Sequence, residues 1–219
     1  MKRSLYYLIV LCQLMAFTTI KAQKVDYGAF IGINTNILSL RSDYKIQNGI
    51  NAKPTISYDF GSFIKTNKNR INLLGSLEYL RIKNQLEPDL SMNDNVGNNL
   101  MNSKSSIINH NLLISAIGTI RIVNRLYLGV GISGSVLIKS TFKLKDKFST
   151  NDGQKLEKHY NIKYYHRFVI SLPVTIGYNF ERINIFARFN KGLMNRIKGE
   201  SYIKEIDNTF ILGIGYKLR

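Results

Sequence analysis

The chain has three histidines, His110, His159 and His166, and a single cysteine, Cys12. Hydrolysis or acyl transfer needs a general base beside a nucleophile, and none of these histidines has a serine and an acid at a recognisable spacing. The residues therefore predict no catalytic group, no metal site and no cofactor. Gly129-Val-Gly-Ile-Ser-Gly134 fits the pattern GxGxxG. As a dinucleotide fingerprint that pattern must bridge a strand to a helix, whose N-terminus meets the pyrophosphate. Here the glycines lie inside an alternating run and no helical periodicity follows, so nucleotide binding is not expected.

The charged residues say more. Asp59, Glu78, Arg121, Arg167 and Arg188, with Lys53 and Lys217, each interrupt a stretch in which apolar residues take every second position. Each falls on the face opposite the apolar one. If that face is enclosed, the charges must pair, because an isolated buried charge is very costly. The expectation is an internal ion-pair network with Glu78 near its centre, bonded to Arg167 or Arg188.

Eight such stretches occur, at about 27–38, 50–60, 70–83, 108–122, 126–136, 164–180, 183–193 and 209–218. In the fifth, Leu126, Leu128, Val130, Ile132 and Val136 alternate with Tyr127, Gly129, Gly131, Ser133 and Ser135. Successive side chains of a strand point to opposite faces, so each stretch has one apolar and one small or polar face. Pro54, which cannot donate to a ladder, predicts a bulge or a missing bond. The links alternate in length. Ser62–Asn69, Val123–Arg125 and Glu181–Arg182 are short; Ser39–Gly49, Asn84–Ile107, Lys139–Lys163 and Met194–Asn208 are long. Short turns on the periplasmic side and long loops outside are the habit of transmembrane β-barrels.

The N-terminus fits that placement. Met1-Lys2-Arg3, an apolar run from Leu5 to Ile20, and Lys21-Ala22-Gln23 describe a secretory signal over residues 1–22, cleaved after Ala22. Residues 23–219 are then one domain. Cys12 leaves with the signal, so neither a disulfide nor a thiolate site is expected. No later apolar run is long enough for a spanning helix. Strands can cross hydrocarbon only as a closed barrel, in which every backbone group is paired. The expected fold is an all-β, eight-stranded, antiparallel up-and-down barrel in a bacterial outer membrane.

Which face meets lipid follows from the glycines. Gly28, Gly32, Gly129, Gly131, Gly177, Gly192, Gly213 and Gly215 lie on the polar side, and an eight-stranded barrel has an interior only just wide enough for side chains. Small residues are useful there and pointless on a wet surface. Tyr27, Tyr58, Tyr178 and Tyr216 are expected at the periplasmic edge of the apolar face, and Tyr79, Phe168, Phe189 and Phe210 at the outward edge, as an aromatic girdle.

A formal net charge of +17 invites a nucleic-acid reading. The charge is scattered over loops and turns of an exported chain, so anionic lipid is the expected partner and nucleic acid is not. The Lys139–Lys163 segment holds seven lysines and three acids. Either it is simply solvated, or Lys143, Lys145, Lys147, Lys155 and Lys158 meet the phosphates of lipopolysaccharide.

Tyr27-Gly-Ala-Phe-Ile-Gly-Ile-Asn34, Leu77-Glu-Tyr79, Ala187-Arg-Phe-Asn-Lys-Gly-Leu193 and Leu212-Gly-Ile-Gly-Tyr216, with the Ala22-Gln23 edge, carry a resemblance. The chain resembles the outer-membrane β-barrel domain family widespread in Bacteroidetes, labelled porin-family or PorT-like. The family usually ends on an aromatic residue; this chain ends Leu218-Arg219. The expected function is a non-enzymatic barrel with a structural, adhesive or interaction role, through extracellular loops that could meet a protein partner. The alternatives are a narrow pore, a lipid-A-modifying enzyme and a soluble lipocalin-like carrier.

Overall fold

A computed structural model describes residues 25–42, 51–66, 70–87, 104–145, 157–161, 165–197 and 203–218. The described residues form β1 (Val25–Ser42), β2 (Asn51–Thr55), β3 (Ser57–Thr66), β4 (Ile71–Glu87) and β5 (Lys104–Val123). They continue with β6 (Leu126–Lys145), β7 (Glu157–Asn161), β8 (Phe168–Asn179), β9 (Ile183–Gly192) and β10 (Ile203–Lys217). All pairings are antiparallel, and β1 pairs with both β3 and β10, which closes the sheet on itself. The ten segments make eight staves. β2 and β3 are one stave broken at Ile56, and β7 pairs with β6 above the place where β8 does. The signal segment, residues 1–22, lies outside the described residues.

The break at Ile56 is the bulge that Pro54 predicted. Thr55 stands opposite Lys83, yet Asp59 stands opposite Leu80, so the β2–β3 stave holds one residue more than its partner over that span. At the opposite end of the barrel, the β5–β6 turn is made by Asn124 and Arg125. Asn124 takes φ 38°, a left-handed conformation that asparagine tolerates better than most residues.

The apolar face points outward. Ile31, Ile71, Ile114, Val130, Ile132, Val174 and Ile214 are all exposed on the cylinder wall. An inward apolar lining of the kind a lipocalin uses would bury these same residues. The staves outrun the membrane: β5 and β6 have 20 residues each, whereas about 9–11 tilted residues cross a bilayer. Their surplus lies on the side of the longer links, so the wall itself continues beyond the lipid there. Stretches expected as loops, such as 84–87, 104–107 and 139–145, are strand.

One stave is longer than expected at its other end, and that moves the girdle. β3 continues to Thr66 instead of ending at Phe60. Tyr58 and Phe60 therefore belong to the outward edge, where Phe60 pairs with Tyr79 at 5.0 Å between ring centroids, and not to the periplasmic one. Tyr27, Tyr178 and Tyr216 keep the periplasmic edge, exposed on the outer wall.

The lumen is less uniformly polar than expected. Phe30, Phe63, Tyr127 and Phe186 turn inward, and Phe30 meets Phe186 edge-on at 5.5 Å and 81°. The glycines are seats for these rings. A Cβ on Gly213 would lie 2.4 Å from the Phe186 ring, and one on Gly177 would lie 2.4 Å from Tyr127. Gly213→Ala should therefore lower stability by roughly 1–3 kcal/mol through overpacking. Gly118→Ala, whose Cβ would meet only the Val130 carbonyl at 3.7 Å, should be close to neutral. Urea midpoints of the folded gel band would show the difference.

Candidate functional site

The charges that matter sit on the inward positions of β3, β4, β9 and β10. Glu78 on β4 and Arg188 on β9 reach each other across the lumen. Arg188 Nη1 donates to Glu78 Oε1 at 2.7 Å, and Nη2 donates to Oε2. Ser76, one inward position away, donates its hydroxyl to Glu78 Oε1 at 2.6 Å. Glu78 is 0% and Arg188 2% exposed, so the fork-to-fork pair stands in place of water for both ions. Asp59 on β3 lies beside them. It accepts from Asn34 Nδ2 at 3.3 Å, while its Oδ2 has no donor among the described residues.

A second cluster closes the outward mouth. Arg196, in the link between β9 and β10, pairs through Nε with Asp207 Oδ2 at 2.5 Å and donates from Nη1 to Asn111 at 3.3 Å. Tyr165 donates to Glu205 at 2.8 Å, and the backbone of Tyr165 bridges Ile197. Between the two clusters, Asn36 donates to Asp207 at 2.8 Å and to Asn84 at 3.4 Å. Ser140 donates to Asn109 at 2.6 Å. The outward half of the lumen is thus a stack of amides, hydroxyls and paired ions. The half nearer the short turns is filled by rings, with a cavity of about 30 Å³ among Phe30, Phe63, Ile117, Tyr127 and Arg188. That is room for one or two waters.

Of the residues named from sequence, the structure brings together Asp59, Glu78 and Arg188. Arg121 and Arg167 are both exposed and stay out of this pair. Arg121 has the inward register but stands at the rim where β5 ends. Arg167 precedes β8, and its carbonyl accepts from Leu137 N at 2.7 Å. Lys53 is exposed on β2, and Lys217 lies 3.7 Å from Asp26 at the short-turn mouth. Sequence reasoning missed the Tyr165, Arg196, Glu205 and Asp207 cluster. Its signal was the polar alternation Glu205-Ile-Asp207-Asn-Thr209, which has no apolar contrast to reveal it.

The lysine segment is an arm of β6 paired with β7. Lys143 stands opposite His159, Lys145 opposite Glu157, and Lys158 opposite Leu144. Lys147 and Lys155 lie outside the described residues. His110 Nδ1 is 2.5 Å from the Tyr79 hydroxyl on the outer wall. Its partner there is a phenol, with no serine–acid couple in reach among the described contacts.

A closed antiparallel cylinder with apolar side chains outside and paired ions inside is the solution strands adopt for crossing hydrocarbon. This is a transmembrane β-barrel of the bacterial outer-membrane kind. The family model for the outer membrane protein beta-barrel domain matches residues 21–198, and the chain belongs to that family. No curated protein matches the sequence. Among solved structures it is similar to Ail, the attachment invasion locus protein of Yersinia pestis. The identity is 14% and the TM-score 0.47, over 89% of this chain and 99% of that one. It is similar also to Neisserial surface protein A, with 7% identity and TM-score 0.44 over 87% and 97%. The Escherichia coli outer membrane protease OmpT gives 10% identity and TM-score 0.43 over 89% and 96%.

Proposed function

We propose that the protein is a sealed, non-enzymatic outer-membrane barrel whose task is to hold an interaction surface outside the cell. That surface is the wall extension beyond the outward girdle together with the β6–β7 arm. There Lys143, Lys145 and Lys158, with Lys147 and Lys155 in the intervening link, would meet lipopolysaccharide or an acidic protein partner. The Glu78–Arg188 pair carries the reading. It spans the lumen, is withdrawn from water and lies beside the packed rings, which supports a closed bore. Against catalysis stand the engagements of the outward carboxylates. Asp207 is taken by Arg196 and Glu205 by Tyr165, and both acids are buried.

We further read residues 1–22 as a cleaved export signal, and the motifs around Tyr27, Tyr79, Phe189 and Tyr216 as kinship with the PorT-like barrels of Bacteroidetes. Planar-bilayer recording on the refolded protein tests the seal. Flat traces are expected, and steady unit conductance would establish a pore instead. Lipid A from an expressing strain should keep its mass, and a lost or added acyl chain would establish an enzyme.

A further inference from the structure

One register row runs along the outer face of the wall. Phe60 pairs Tyr79, Tyr79 pairs Leu112, Leu112 pairs Val136 and Val136 pairs Phe168. The staves of such a barrel tilt by about 35–45°, so the row climbs along the wall. Its Leu112, Val136 and Phe168 lie ten or eleven residues from the short-turn ends of their strands, where hydrocarbon gives way to head groups. One pleat further out, on the same face, Arg81 pairs His110 and His110 pairs Lys139. Strands lie about 4.7–4.9 Å apart, so three nitrogen-bearing side chains spring from a line about 10 Å long. Lys83 stands one more pleat out on β4.

The local contacts seat Arg81 on the β3 side of this row. Arg81 donates to Ser57 Oγ at 3.2 Å, and its guanidinium carbon is 5.4 Å from the Tyr58 ring centroid. The stacking leaves other N–H groups of the fork free to donate. With the Tyr79 hydroxyl as donor to His110 Nδ1, the neutral imidazole carries its proton on Nε2, which is then a donor. Lys139 is exposed beside the bulge at Ile138. Neither Arg81 nor Lys139 is paired with a carboxylate among the described residues. Two uncompensated cations at the rim of a low-dielectric slab call for an anion. A planar fork, a ring N–H and an ammonium set along one short line are donors of the kinds that suit the tetrahedral oxygens of a phosphate.

The same patch continues downward into Leu112, Val136 and Ile138, all exposed to the acyl region. Its ligand must therefore carry a phosphate on a body with acyl chains. We propose that Arg81, His110 and Lys139 bind a phosphate of lipid A in the outer leaflet, with the acyl chains lying on Leu112, Val136 and Ile138. The proposal rests on outer-membrane placement and not on what the β6–β7 arm binds.

The test uses the full refolded barrel in phosphatidylcholine nanodiscs, with bound lipid counted by native mass spectrometry. The probes are bis-phosphorylated lipid A, dephosphorylated lipid A, phosphatidylglycerol and inorganic phosphate. Arg81→Gln/Lys139→Gln should weaken bis-phosphorylated lipid A by about tenfold or more, as expected for two lost charge-assisted contacts. Arg70→Gln/Arg125→Gln removes the same charge at the short turns and should leave binding unchanged. Heat-modifiable gel mobility confirms that each variant is folded. Equal binding of dephosphorylated lipid A or of phosphatidylglycerol would overturn the proposal, as would saturation by inorganic phosphate alone. So would undiminished binding of bis-phosphorylated lipid A by the Arg81→Gln/Lys139→Gln variant.

Discussion

Glu78→Ala should cost about 3–5 kcal/mol of barrel stability, the range for stripping one partner from a buried ion pair. Arg188 is 2% exposed and gives both terminal nitrogens to Glu78, so the truncation leaves a guanidinium with neither water nor its counter-ion. Asp59 is the group that could respond, because its Oδ2 already lacks a donor. Movement of Arg188 toward Asp59 would bring the loss to the lower end of that range. The companion Glu78→Leu/Arg188→Met should recover most of the loss, since well-packed apolar isosteres often match a buried pair. The chain has no Trp, so the unfolding curve is best followed by far-UV circular dichroism in urea, beside gel mobility. An unchanged midpoint for Glu78→Ala would mean that water reaches Arg188, and the lumen would then be wet enough to reopen the pore reading.

What the sequence made legible, and what it hid, divides at the membrane boundary. Within hydrocarbon the two faces of a stave must differ sharply, so stretches such as Leu126–Val136 declare their strand, their register and their outward face. Glu78 and Arg188 stood out because charges on that inner face had no environment except each other. Beyond the girdle both faces are wet or polar and the contrast vanishes. Residues 104–107, 139–145 and 203–207 therefore read as loop although they are strand, and the Arg196–Asp207 pair went unseen. Phe63 was hidden for the opposite reason. It is a large ring inside while Ser62 is a small polar residue outside, which inverts the pattern and made β3 end too early. The misplacement of Tyr58 followed directly from that. The seats on Gly177 and Gly213 depend on rings from neighbouring staves, which no single stretch can show.

The outward-facing apolar wall makes its own demand on two adjacent residues of β6. Ile132 is exposed on the outer face, whereas Ser133 is buried and donates to Ser115 Oγ at 2.8 Å. Ile132→Arg should cost about 2–4 kcal/mol, the range for a cation near the midplane on the lipid face of a barrel. Ile132 is well inside the girdle: Val136 pairs Phe168 on one side of it and Leu126 pairs Tyr178 on the other. An arginine there cannot easily lift its head group into water. Ser133→Ala removes one neutral hydrogen bond between two hydroxyls, so about 1 kcal/mol is expected. In a barrel turned inside out the order would reverse, with the introduced guanidinium tolerated in water and position 133 critical to an apolar core. Folding titrations in lipid vesicles measure both variants against the same unfolded state in urea. A smaller loss for Ile132→Arg than for Ser133→Ala would show that the face now assigned to hydrocarbon is in contact with water.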